Sequence, residues 1–292
     1  MARIAELLSA GRTWSFEFFP PRSDAEQATL TRTIHELEPL KPSFVSVTYR
    51  GGPESRKRTF DLVTAMLHMT TLTPMAHLTC VGHTRLELAD ILVEYRKAGV
   101  ENLMALGGDP LRTGEGRASE LGHAIELVEL ARAVGGFSIG VAAHPAGHPA
   151  SPSLGADRAR LAEKLALADF AVTQFFFEPE QYAALVDDLA RRGLAKPVLP
   201  GIMPVTSLAS VPRMAEMGSP VPAWALERLQ SGAGRGGDEG VRAEGIAMAT
   251  ELCRTLLELG APGLHFYTLN RSTATREIYR ALGLAPALSP AG

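Results

Sequence analysis

The chain has 292 residues, 46% hydrophobic and 21% charged, with a formal net charge of −3. That is globular composition with ample material for a core, and the slight negative charge excludes the basic footprint of a nucleic-acid or anionic-membrane binder. The two cysteines, Cys80 and Cys253, are too few for a disulfide framework and carry no zinc spacing. No signal-peptide core and no apolar run of spanning length is legible, so a cytoplasmic location is expected.

Taken in order, β-type apolar runs alternate with helical stretches. The first run is 14–19 (WSFEFF), stopped by Pro20 and Pro21, which cannot donate to a sheet ladder. An amphipathic segment at 24–37 follows behind the cap candidates Ser23 and Asp24. The second run is 44–49 (FVSVTY), with a helix near 56–69. The third is 75–80 (MAHLTC), with a helix at 84–98. The fourth, 102–106 (NLMAL), ends in Gly107-Gly108-Asp109-Pro110 before a helix near 118–134. The fifth is 137–143 (FSIGVAA), then a His/Pro-rich loop and a helix near 156–167. The sixth is 170–177 (FAVTQFFF), with a helix at 179–192. The seventh is 198–203 (VLPGIM), followed by helical pieces around 208–217 and 223–230. The Gly-rich stretch 231–240 (SGAGRGGDEG) reads as a flexible surface loop. The eighth run is 264–269 (LHFYTL), with a closing helix near 272–282.

Continuous rather than alternating apolar runs suit parallel strands buried on both faces. Eight strand–helix units predict a single-domain α/β fold, a (β/α)8 TIM barrel over 1–283, with 284–292 as a disordered tail. The competing open doubly wound sheet is weakened by the lack of a GxGxxG after the first strand. In such a barrel the site lies at the C-terminal strand ends. Those ends offer Glu17, Thr48, His77, Asp109, His144, Gln174, Asn270 and Arg271, with Leu106 and Met214 as apolar candidates to line or cover the mouth. Each has an ordinary structural alternative: Thr48 is a good β former, His77 suits a hydrogen-bonded core position, and Asp109 before a proline suits a turn. Their convergence on one mouth is the stronger signal. Glu17 lies on one strand face with Ser15 and Phe19, in a strongly aromatic segment, so desolvation is expected to raise its pKa. His144 and His148 have i,i+4 spacing, but Pro145 and Gly147 break any helix between them and no carboxylate completes a set, so no metal is expected.

Together the segments SFEFFPPR, FVSVTY, AHLTC, ALGGDP, the GHP loop, TQFFF, PGIMP and HFYTLNR resemble the methylenetetrahydrofolate reductase family, in family order and over about residues 12–283. The resemblance implies a (β/α)8 barrel that reduces 5,10-methylenetetrahydrofolate to 5-methyltetrahydrofolate with electrons from NADH or NADPH, usually through bound FAD. It implies Glu17 as general acid and Asp109 as the charge that stabilises an iminium. It also implies Gln174 and Arg271, with Met214 beside them, as folate-binding residues. Thr48 and His77 match flavin-contacting positions, and Leu106, His144 and His148 are added to that cofactor group.

The departures concentrate at flavin positions. Gly107 stands where the family has an arginine, His144 where it has a tyrosine, and Ala146 and Ala150 where it has glutamates. Arg50 replaces a glycine. Glu163 falls at a lysine position, with Lys164 one residue closer to Asp169 than the family spacing and Leu167 in place of a glycine. The favoured expectation is therefore a flavin-free enzyme in which the nicotinamide takes the vacated place. A weakly held FAD, or a non-catalytic folate-binding relative, are the alternatives. The expected partners are small molecules only, folate and a nicotinamide dinucleotide, on a monomer or small homo-oligomer.

Overall fold

In a computed structural model the chain is described over residues 2–49, 53–108 and 119–284, with Pro53 and Glu54 known by backbone only. Asp109, Arg50 and the segment 285–292 lie outside the described residues. Eight parallel strands pair in chain order and close on themselves, β1 hydrogen-bonding to both β2 and β8. The strands are β1 Thr13–Phe18, β2 Phe44–Val47, β3 Pro74–Thr79, β4 Asn102–Leu106, β5 Ser138–Ala143, β6 Phe170–Phe175, β7 Val198–Ile202 and β8 Gly263–Tyr267. The helices are α1 Ile4–Ala10, α2 Asp24–Leu37, α3 Pro53–Met69, α4 Arg85–Lys97, α5 Ala124–Val134, α6 Leu154–Leu167, α7 Pro179–Arg191, α8 Val211–Glu216, α9 Ala223–Glu258 and α10 Thr273–Ala281.

Local chemistry explains many of the boundaries. Ser23 and Ser153 accept from the backbone N–H three residues on, and Thr84 with Glu87 forms a reciprocal capping box. Pro179 starts α7, where a missing N–H costs nothing. The helix expected from 118 begins only at Ala124, because the Glu126 carboxylate turns back to accept from the N–H groups of Gly122 and His123. The eighth strand stops at Tyr267, two residues short of its apolar run, where the chain turns through left-handed Leu269 and Asn270 (φ 50° and 55°).

Strand parity divides the core in two. Phe16, Phe18, Val45, Val47, Leu103, Val141 and Phe266 face outward into the layer shared with the helices. Phe44, Met75, Met104, Phe170, Val172 and Leu199 fill the barrel interior with Ile4 and Leu8 of α1. That first helix, which the sequence reading did not anticipate, closes the N-terminal end of the barrel. Its free N–H groups are taken by the strand starts: Ile4 donates to Asn102 Oδ1 at 2.9 Å and Ala5 to Ser138 Oγ at 3.0 Å.

The Gly-rich segment is helical rather than a flexible loop. Helix α9 runs through it and kinks at Gly236 and Gly237, the latter at φ 56°. The glycines permit contact between the two halves: a Cβ at Gly240 would lie 2.0 Å from the Gly232 carbonyl oxygen. Arg228 ties the halves together through Glu244 and Glu251.

Candidate active site

With the N-terminal end plugged, the C-terminal mouth is the open end, and its polar centre is Glu17. Parity places Glu17 inside the barrel with Ser15, while the aromatics of its own strand, Phe16 and Phe18, turn away into the outer core. Its real neighbours come from other strands. Ser46 of β2 donates to Glu17 Oε2 at 3.1 Å. Nε2 of His77 on β3 and Nε2 of His265 on β8 each lie 3.4 Å from that same oxygen. The Glu17 side chain is 16% exposed.

This environment overturns the expected direction of the Glu17 pKa. Burial pushes it up, but the hydrogen bond to His265, the positive charge that His77 and His265 can carry, and the Ser46 hydroxyl outweigh that and hold it below the ordinary value. Burial lowers the His77 pKa despite the facing carboxylate. Burial and the Glu17 charge raise Tyr267 well above the usual phenol, so it stays protonated and donates to Thr173 O at 2.7 Å.

The backbone that carries Glu17 is clamped from the loop after β8. Thr268 Oγ1 donates to Glu17 O at 2.6 Å, and the Asn270 amide pairs with Phe19 both ways, Nδ2 to O at 2.8 Å and N to Oδ1 at 3.0 Å. The left-handed turn at Leu269 and Asn270 is what aims that amide across the strand ends.

The other expected site residues fall at several places around the mouth. His77 lies inside β3, buried, with Nε2 lacking a hydrogen-bond partner among the described residues. Thr48 follows β2 by one residue, half-buried, with its backbone bonded to Phe18 O. Leu106 ends β4 and packs on the interior cluster. Gln174 near the end of β6 is half-buried; its Nε2 donates to Met217 O at 3.1 Å and its Oε1 accepts from the Phe175 N–H. Gln174 and His144 both line a pocket of about 120 Å³, with Phe177, Glu178, Ser219 and Pro220. Arg271 is exposed on the rim. Met214 is 2% exposed and packed into the cluster of Phe175, Met203, Val205 and Leu229, not among the residues that line this pocket. Asp109 lies outside the described residues.

His144 meets exposed His148 edge-to-face at 4.6 Å, and burial with that neighbour pushes its pKa down to about 4, so it is neutral at pH 7. No group of three or more His, Cys, Asp or Glu side chains among the described residues is placed to hold a metal. The two cations near this loop point to backbone. Lys164 Nζ donates to Ala142 O at 2.7 Å, with burial lowering its pKa to about 8, and Arg158 donates to His144 O and Pro145 O. Cys80 is buried with its thiol pushed up to about 12, first by burial, which makes it a poor nucleophile.

Sequence reading missed His265 and Ser46, and gave Ser15 no role although it shares Glu17's strand face; the sequence does hold a signal for the first two. Once β1, β2 and β8 are adjacent in a closed barrel, the parity of FVSV and LHFY turns Ser46 and His265 inward beside Glu17.

A closed (β/α)8 barrel with a carboxylate caged by two imidazoles at its C-terminal mouth belongs to the class of barrels that carry their chemistry at that face. The particular family follows from comparison with known proteins. The family model for methylenetetrahydrofolate reductase matches residues 2–283, and the chain belongs to that family. It is 37% identical to the 5,10-methylenetetrahydrofolate reductase of Salmonella typhimurium over 279 residues, covering 94% of this chain and 92% of the relative. The Escherichia coli K12 enzyme of that name is also 37% identical, with the same coverage of both chains. Among solved structures, an uncharacterized Clostridium thermocellum protein described as binding two copies of 5-methyl-5,6,7,8-tetrahydrofolic acid shares the fold, at 15% identity, 96% coverage of both chains and a TM-score of 0.65.

Proposed function

We propose that this chain reduces 5,10-methylenetetrahydrofolate to 5-methyltetrahydrofolate with NADH or NADPH as hydride donor. The observation that carries the reading is Glu17, held at the mouth by contacts from three other strands in a chain of this family. Glu17 is ionised in the free protein near neutral pH, so it takes up a proton from water before it acts as general acid; it then gives that proton to N10 as the N10–methylene bond breaks, leaving an iminium at N5. A hydride then reaches the methylene carbon, giving the N5-methyl product and the oxidised nicotinamide; Glu17 is reprotonated from water. The carboxylate left behind beside the cation also favours its formation. Gln174 and Arg271 are assigned to folate, with Met214 packed beneath that wall of the mouth rather than touching the ligand, Asp109 to stabilising the iminium, and Thr48, His77, Leu106, His144 and His148 to the nicotinamide donor.

The flavin-free form of the reaction is the preferred one. What supports it is the donor set among the described residues, whose cations near the loop after β5 are spent on backbone. Lys164 and Arg158 both donate to backbone carbonyls, and Gly107 offers no side chain. Sterics do not force that glycine: a Cβ there would meet nothing nearer than the Ala124 nitrogen at 3.9 Å. Gly108 beside it is different, at φ +86° with a Cβ position 2.8 Å from Val81 Cγ2. The test is the absorbance of the purified protein and its oxidation of NADH and NADPH without added FAD. Folate-dependent oxidation by colourless protein is expected. A stoichiometric flavin band or an FAD requirement overturns the flavin-free form, and no folate-dependent oxidation under any condition overturns the reductase reading.

A further inference from the structure

We propose that His265, anchored by Ser15, is the positioning residue that holds Glu17 by one oxygen and decides how readily it carries a proton. The proposal deepens the reductase reading, on which its meaning for turnover rests.

Of the two imidazoles beside Glu17, only His265 is built into the frame. It is 1% exposed, its ring stacks on Phe44 at 6.1 Å and 17°, and it meets Tyr267 edge-on at 5.3 Å. Its Nδ1 lies 2.8 Å from Ser15 Oγ. The Ser15 hydroxyl has one proton and two acceptors within reach, this ring nitrogen and Leu264 O at 3.4 Å. The ionised Glu17 carboxylate can only accept, so the ring hydrogen belongs on Nε2, Nδ1 is the acceptor, and the hydroxyl is spent on Nδ1 rather than on Leu264 O. A neutral ring with Nδ1 accepting has its hydrogen on Nε2, and Nε2 faces Glu17 Oε2 at 3.4 Å. Ser15 thus holds the tautomer that donates to the carboxylate. His77 approaches the same oxygen, but its Nε2 has no hydrogen-bond partner among the described residues.

All three side-chain approaches to Glu17, from Ser46, His77 and His265, end on Oε2. Among the described residues no such approach is made to Oε1, the oxygen this arrangement leaves for a substrate. The groups that face Glu17 from the packed strands are Ser15 on its own strand, Ser46 on β2, His77 on β3, and His265 and Tyr267 on β8; the tyrosine hydroxyl is spent on Thr173 O. Donation from His265 stabilises the ionised carboxylate, so its removal raises the Glu17 pKa and extends the protonated range to higher pH.

The direct readout is the Glu17 carboxyl resonance in protein labelled with 13C-glutamate, assigned by its loss in Glu17→Gln and titrated with pH in the absence of substrate. His265→Phe keeps a ring on Phe44 but removes the donor. Its titration midpoint should rise by about one pH unit or more, tenfold in proton affinity. His265→Gln, whose amide can still donate, should restore the wild-type midpoint. Ser15→Ala releases the tautomer and should shift the midpoint the same way by a smaller amount; it also serves if the phenylalanine variant does not fold. The alkaline limb of kcat should move up with the midpoint. Unchanged midpoints in Ser15→Ala and in whichever His265 variants fold overturn the proposal, as does a kcat loss that is uniform with pH while the limb stays in place. A shifted midpoint in a protein whose wild type shows no folate-dependent oxidation supports the positioning of Glu17 and overturns the reductase reading.

Discussion

Glu17 shows how neighbours from other strands reverse a chemical expectation drawn from one strand. A carboxylate between Phe16 and Phe18 in sequence has neither as a neighbour on its face, because successive side chains of a strand point to opposite sides. The aromatics contribute to the outer core, each worth about 1.5–3 kcal/mol of burial, while Glu17 meets two imidazoles and a hydroxyl. Its position at the mouth and that of His77 were legible from the sequence; Ser46 and His265 were not read, because they become neighbours only through the register of β1 with β2 and β8. The lowered pKa has a signed consequence. A carboxyl that ionises below its unfolded value contributes stability above the unfolded pKa and loses it as pH falls through the folded one. Glu17→Gln removes that dependence and the transferable proton together. The variant should bind 5-methyltetrahydrofolate like the wild type while kcat falls about 10²–10⁴-fold, the usual range for a general acid. Titration calorimetry and steady-state kinetics check both halves, and near-normal kcat would remove Glu17 from the acid role.

At the scale of elements, periodicity located each strand and most helices, and failed where tertiary contact overrides composition. Helix α9 is the instructive case. Glycine in a helix costs about 1 kcal/mol against alanine, so 231–240 reads as a loop. In the fold the same glycines bring two helical segments into contact, Gly232 against Gly240, and Gly245 just beyond them packs on Val205 in the loop after β7, where a Cβ would lie 1.8 Å from the carbonyl oxygen. Helix α1 went unread for a related reason: seven residues are too few for a periodic signal, and its N–H groups are satisfied by Asn102 and Ser138, about a hundred residues away in sequence. The glycine contacts make a paired prediction. Gly240→Ala drives a methyl into the Gly232 carbonyl and should destabilise by about 1–3 kcal/mol. Gly234→Ala, where a Cβ meets nothing within 4 Å, should be neutral or stabilising by up to about 1 kcal/mol. Equal melting temperatures for the two variants would mean that the hairpin contact is absent in solution.

For the whole molecule, the closed barrel separates stability from chemistry. One end is sealed by α1 and an apolar interior, and the other carries Glu17, His77, Gln174 and the rim loops. Ligands that bind this mouth bind the folded chain and not the unfolded one, so each raises the melting temperature by mass action. That makes thermal stability a test of occupancy that needs no turnover. A ligand at a hundred times its dissociation constant adds about 2.7 kcal/mol, and at roughly 2–4 °C per kcal/mol for a domain approaching this size the shift is about 5–10 °C. 5-Methyltetrahydrofolate should give such a shift in the wild type and in Glu17→Gln alike, because the variant loses the proton and not the binding surface. FAD at the same concentration should leave the melting curve in place, since Lys164 and Arg158 are committed to carbonyls of β5 and the loop after it and Gly107 has no side chain to reach a phosphate. NADH or NADPH should raise it, and whichever gives the larger shift at equal concentration identifies the preferred donor. An FAD shift as large as that of folate would restore the flavin to this mouth and return the nicotinamide to a separate half-reaction.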